Sequence, residues 1–200
     1  MHATRTLPEG YHSAGTIDIK QNVALMIGLN IAGLVVLVLA GGLFFSAAMR
    51  LHPGETGRFQ WEISSLSSML IIFGEIIGLS ALNIVVHEAA HGIFFWLFTR
   101  TRPVFALRLT HAYAAAPDWY LSRGAYLVTC LAPLVLISLG GLACMALLGP
   151  AWLVPVWFLM TINAGGATGD IAVAGWLLFQ PATCLANDRG DAVTLYTLRK

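Results

Sequence analysis

Four stretches of the chain stay apolar long enough to cross a bilayer, and short polar segments separate them. Asn22 to Ala48 runs for 27 residues without a charge, beyond the roughly 20 that a spanning helix needs and far beyond a signal-peptide core. It predicts a retained first transmembrane helix. Leu66 to Phe98 is a second run, of 33 residues, but it carries Glu75, His87, Glu88 and His91. Ionisable groups are costly against lipid, so this span must turn a polar face toward protein. Ala125 to Gly149 is charge-free with Pro133 as an expected kink, and Trp152 to Phe179 is interrupted by Asn163-Ala-Gly-Gly-Ala-Thr-Gly-Asp170. The serines of Ser64 to Ser68 read as a polar helix start near the outer interface. The pattern predicts an all-α integral membrane protein, a bundle of four transmembrane helices at about 22–48, 66–98, 125–149 and 152–179, forming one membrane domain over residues 1–200.

The segments between the spans leave no room for a second, soluble domain: an arm to Gln21, a linker from Met49 to Ser65, another from Thr99 to Gly124, and a tail from Gln180. Within the second linker, Val104 to Tyr113 is rich in strand formers and bounded by Pro103 and Pro117. It reads as a short strand or hairpin at the membrane surface, or equally as an irregular loop. Nine basic residues fall on the arm, second linker and tail, against two, Arg50 and Arg58, on the first linker. Because cytoplasmic loops are enriched in Lys and Arg, both termini and the second linker are expected in the cytoplasm. The protein is therefore expected as a multi-pass membrane protein, in the cell membrane if the cell is prokaryotic.

Composition narrows the function. With 58% hydrophobic and 10% charged residues and a mean hydropathy of +0.76, the chain is not a soluble enzyme, whose charged share would be roughly a quarter. Its expected surroundings are the lipid bilayer. A net charge of +1 supplies no basic field for phosphates, which sets nucleic-acid binding aside. Cys130, Cys144 and Cys184 are odd in number and have no paired spacing, so no disulfide framework is expected.

Chemistry concentrates in the second span. His87-Glu88-Ala89-Ala90-His91 sets two imidazoles at i and i+4 on one helix face with a carboxylate beside the first. That spacing suits two ligands and a general base around one Zn²⁺ ion. From this composition the pattern would arise by chance in roughly one such chain in two hundred. Its bland reading is a hydrogen-bonded cluster that helps helices pack. A third ligand is needed, and the soluble patterns fail: a metzincin would want Gly and His where Phe94 and Leu97 stand. Glu88 is the last Glu of the chain, and Asp170 is the only Asp within a span.

Depth gives a separate check on Asp170. His91 and His87 lie 7 and 11 residues before Phe98, and Asp170 lies 9 before Phe179. All three fall roughly 14 Å below the cytoplasmic face at about 1.5 Å of rise per residue. His111, on the second linker, is the rival ligand. Gly165, Gly166 and Gly169 suit an unwound, cavity-lining helix or simply tight helix packing. Together with Asn163 they are candidates to contact substrate or to support the metal ligands, Asn163 having an interhelical hydrogen bond as its plain alternative. Glu75 is given no catalytic role.

An HExxH on one membrane helix with an Asp on a later span resembles the site-2 protease family of intramembrane zinc metalloproteases, and more closely a compact four-span group of membrane zincins of unassigned function. The resemblance runs from about Leu66 to the C-terminus. Ser122-Arg123-Gly124-Ala125-Tyr126 through Ala132-Pro133 is similar to the family's third span, and Asp191 to Tyr196 to its tail. It implies His87, His91 and Asp170 as zinc ligands, Glu88 as catalytic base, and membrane proteins or peptides as substrates. The chain departs from site-2 proteases in one pattern: they show Asn-x-x-Pro ahead of Asp-Gly, whereas here Asn163 is followed by Gly166, and Asp170 by Ile171.

Two alternatives stand beside hydrolysis: a membrane metal-binding or metal-transport protein using the same ligands, and a zincin-like protein without turnover. Glu88 separates the first, since transport needs no base beside a metal water. Haem ligation is disfavoured because His87 and His91 share one helix face and cannot occupy opposite axial positions.

Overall fold

The computed structural model describes residues 3–18, 21–60, 63–108 and 112–198. In chain order it contains β1 (Ala3–Thr4), β2 (Tyr11–Asp18), α1 (Val23–Leu51), α2 (Leu66–Thr99), β3 (Val104–Leu107), β4 (Ala112–Ala115) and β5 (Tyr120–Ser122). These are followed by α3 (Arg123–Leu147), α4 (Leu153–Gly166), α5 (Thr168–Leu178), β6 (Leu185–Asp188) and β7 (Ala192–Leu198). Local chemistry sets several of the helix starts. Asn22 Oδ1 accepts the Leu25 N–H at 2.9 Å ahead of α1, and Ser65 Oγ accepts the Ser68 N–H at 3.1 Å ahead of α2. Both satisfy N–H groups that a first helical turn leaves without partners.

Helices α1, α2 and α3 are long and apolar enough to cross a membrane, which is compatible with a membrane protein. Their outer faces agree with that, since Ile31, Leu34 and Val38 of α1 and Ile71, Phe73, Ile77 and Val85 of α2 are exposed. Contiguous apolar surface on this scale is not stable in water.

The chain divides into two compact units, one comprising Met1–Ile31, Glu88–Pro133 and Thr168–Lys200 and the other Ala32–His87 and Leu134–Ala167. In the first, five antiparallel strands run in the order β1-β5-β6-β7-β2. The longest ladder joins β2 to β7, from Tyr11 opposite Leu198 to Asp18 opposite Ala192, with a bulge between Ser13 and Gly15. β7 alternates in the period-two sense that a half-buried strand requires, with Val193 and Leu195 in the core. Leu121, Ala186 and Leu195 pack there with Phe95, Tyr126 and Leu177. β3 and β4 form a separate two-stranded antiparallel hairpin. In the second unit Phe44, Met145, Leu153 and Met160 make the core, and Trp157 Nε1–H donates to the Gly41 carbonyl at 2.8 Å.

The expected all-α bundle of four transmembrane helices is corrected on two counts. The fold is mixed α/β, because the arm, the end of the second linker and the tail pair into the five-stranded sheet. The stretch expected as a fourth span is two short helices, α4 of 14 residues and α5 of 11. At about 1.5 Å per residue they measure about 21 and 16 Å, each short of a hydrocarbon core of about 30 Å. The break falls at Ala167, within the glycine-rich segment. Its N–H bonds back to the Asn163 carbonyl at 2.9 Å, and glycines on either side weaken the helix.

Candidate metal centre

The two histidines sit one turn apart on the uninterrupted α2, so the helix itself aligns them. Each ring is held through Nδ1. His87 Nδ1–H donates to Asn163 Oδ1 at 2.9 Å, and Asn163 is fully buried. His91 Nδ1–H donates to the Thr129 carbonyl at 2.9 Å, and Thr129 is a residue of α3. Hydrogen bonds of this kind fix the tautomer and leave Nε2 as the ligand atom.

Asp170 lies in the first turn of α5, where unpaired helix N–H groups favour a carboxylate. The His91 Nε2 to Asp170 Oδ1 distance is 3.4 Å. One ligand atom each from His87, His91 and Asp170 fall within 4.8 Å of one another. Two ligands at tetrahedral positions around zinc, each about 2.0–2.1 Å from it, stand about 3.3 Å apart. Two imidazoles and a carboxylate are a zinc donor set, and three protein ligands leave a fourth position for water. The residues present therefore fit the ion.

Glu88 is next to His87, and its Oε2 accepts the backbone N–H of Ala114 in β4 at 2.6 Å. This contact could not be found from the sequence, because it uses a backbone N–H that nearly every residue carries, whereas the Thr129 carbonyl had a signal in Pro133, four residues on in α3, which has no N–H to occupy it. A second polar pair lies in the same unit as His91. Tyr126 O–H donates to Asp188 Oδ2 at 2.5 Å, and the Gly190 N–H donates to Asp188 Oδ1 at 2.7 Å. Burial raises the Asp188 carboxyl from its ordinary 3.8 to about 6, against the opposing pull of these two donors.

The remaining candidates separate. Gly166 ends α4 and Gly169 is the second residue of α5, and a methyl group at either would meet nothing within 4 Å. Gly165 is the tightly packed one, since a Cβ there would stand 2.9 Å from Leu37 Cβ and 3.2 Å from the Gly33 carbonyl. Glu75 is exposed on α2 and lies outside the cluster. His111 lies outside the described residues. The three cysteines are free thiols.

A sequence profile of a family described as "Putative zincin peptidase" matches residues 80–185, more than half of the chain. No curated protein and no solved structure matches the chain.

Proposed function

The chain belongs to this zincin peptidase family, a family of zinc metallopeptidase hydrolases, and from that premise we propose that it is a site-2 protease-like intramembrane zinc endopeptidase acting on membrane proteins. The observation that carries the reading is the gathering of His87, His91 and Asp170 within 4.8 Å of one another, with Glu88 beside them on a helix long and apolar enough to cross a membrane. His87, His91 and Asp170 hold the metal in this reading. Bound zinc supplies a water whose pKa falls to about 7 and polarises the substrate carbonyl.

The rest is the work of the chain's own groups. Glu88 takes a proton from the attacking water through its carboxylate and delivers it to the leaving amine nitrogen, as hydroxide adds to the carbonyl carbon and the C–N bond breaks. Asn163 and the Thr129 carbonyl hold each imidazole proton at Nδ1 and keep the rings turned so that Nε2 serves as the ligand atom. A substrate helix hides its carbonyls in its own hydrogen bonds and must unwind before cleavage. The β3–β4 hairpin supports the expectation that the unwound segment is held extended by strand pairing. Gly166 and Gly169, with open space beside them, are read as room for that segment.

We read both termini as cytoplasmic. The sheet joining the arm (β1, β2), the second linker (β5) and the tail (β6, β7) supports placing these three on one side, the side that carries nine of the eleven basic residues.

Elemental analysis of the detergent-purified chain tests the site before any substrate is known. The native chain should carry about one zinc, and His87→Ala and Asp170→Ala should each lose it. Glu88→Gln should keep the metal and abolish turnover. A metal-free native protein would overturn the reading, and retained cleavage in Glu88→Gln would remove Glu88 as the base.

A further inference from the structure

The hairpin meets the metal-bearing helix at two points. Ala114 N–H donates to Glu88 Oε2, and the Phe105 ring lies against Gly92, where any added methyl group would overlap it. Ala114 and Phe105 are opposite each other in the β3–β4 ladder. In an antiparallel ladder successive residues point their N–H and C=O alternately toward the partner strand and away from it. Since Ala114 gives its N–H to Glu88, Ala112 and Ala114 face outward from β4, while Tyr113 and Ala115 face β3.

This decides which edge of the hairpin can serve a substrate. β3 lies one strand spacing, about 4.8 Å, beyond β4, and a strand added outside β3 would lie a second spacing farther from the carboxylate. Its scissile carbonyl could not reach Glu88. A strand on the outer edge of β4 could, but the N–H that must receive its carbonyl is held by the carboxylate itself. Among the described residues β4 has no strand on its outer side, and Ala112, Ala114 and Ala115 carry nothing beyond Cβ, so none of these three side chains keeps another backbone away.

We propose that the Ala114 N–H is a latch on the base that substrate exchanges. At rest it holds Glu88 Oε2 where a peptide carbonyl would sit. An extended substrate segment docking along β4 gives Ala114 its own carbonyl and turns the carboxylate over to the attacking water. A bond from N–H to a carboxylate is charge-assisted and strong, and Ala114 is buried, so its N–H must not be left unpaired and release waits on another acceptor. The base is thereby freed by backbone, whatever the substrate's side chains. The inference rests on the reading of Glu88 as base.

The test replaces Ala114 in the full, zinc-loaded chain by lactic acid, which removes the N–H and keeps the methyl group. Two probes are compared: fluorescein-labelled casein, long and extended, and a blocked fluorogenic dipeptide too short to pair with β4. The latch predicts dipeptide hydrolysis raised several-fold and casein cleavage lowered about tenfold through KM. Both rates falling together would make Ala114 a fixed support for Glu88, and both unchanged would make the bond incidental; either overturns the latch alone. A zinc-loaded native chain inert on both probes would overturn the peptidase reading instead. If the ester variant does not fold, amide exchange decides. Glu88→Ala should speed exchange at Ala114 at least tenfold relative to Glu88→Gln, which keeps an acceptor, and equal rates would overturn the proposal.

Discussion

Asn163 and Thr129 each take the Nδ1–H of one histidine, and the difference between them decides what can be tested. The Thr129 acceptor is a backbone carbonyl and survives any side-chain change. The Asn163 acceptor is a side-chain amide, so Asn163→Ala frees the His87 ring to rotate and to change tautomer. Zinc affinity should fall about 10–100-fold in a chelator competition, with Asn163→Asp recovering much of it; an unchanged affinity would reduce Asn163 to packing. At this scale the sequence was informative where chemistry resides in side chains. His87, Glu88 and His91 follow from type and spacing, and Asp170 from elimination and depth. Asn163 reads from the sequence as contacting substrate or supporting a metal ligand; that its partner is the His87 ring, and that it acts from α4 rather than from one helix shared with Asp170, required the fold. The Ala114 N–H left no trace, while the Thr129 carbonyl left an indirect one in Pro133, which cannot donate to it along α3.

Between strands β6 and β7 the chain turns through Gly190, whose φ is +87°. A Cβ there would also overlap the ring of Tyr113, a residue of β4. Gly190→Ala meets both penalties. The left-handed backbone alone costs roughly 1–2 kcal/mol, so Tm in detergent should fall by several degrees. Gly42→Ala, at a helical position where a methyl group meets nothing within 4 Å, should leave Tm unchanged or raise it. Equal effects of the two would mean that the turn is not strained by a side chain. Gly92→Ala acts on the other face of the hairpin by displacing Phe105, and should speed amide exchange across β3 and β4. The sequence carries a period-two signal for β7 in Ala192-Val-Thr-Leu-Tyr-Thr-Leu198. It does not carry the partner, which is β2, near the opposite end of the chain. Glycines beside Asp170 warned of a weak helix; that they separate α4 from α5, rather than merely packing, required the fold.

For the whole molecule the titration of Asp188 sets a pH dependence. Its folded pKa is about 6 against an ordinary 3.8, so between these values the folded chain keeps a proton that the unfolded chain has released. Stability therefore falls as pH rises through that window, and the penalty is complete above about 6. Asp188→Asn should flatten the dependence of Tm on pH between about 4 and 6; a slope that persists would have to come from other carboxylates. What the sequence by itself determined is local in origin. Long apolar runs place α1, α2 and α3, and an i, i+4 pair with its neighbouring Glu places the candidate metal site on α2, because a helix brings such residues together without help. Tertiary structure alone decided that the arm, second linker and tail close one five-stranded sheet, that α4 ends at Gly166, and that Glu88 and His91 are held by the backbone of β4 and α3. Those outcomes depend on pairing between distant segments, and the groups that make them are the N–H and C=O that all residues share.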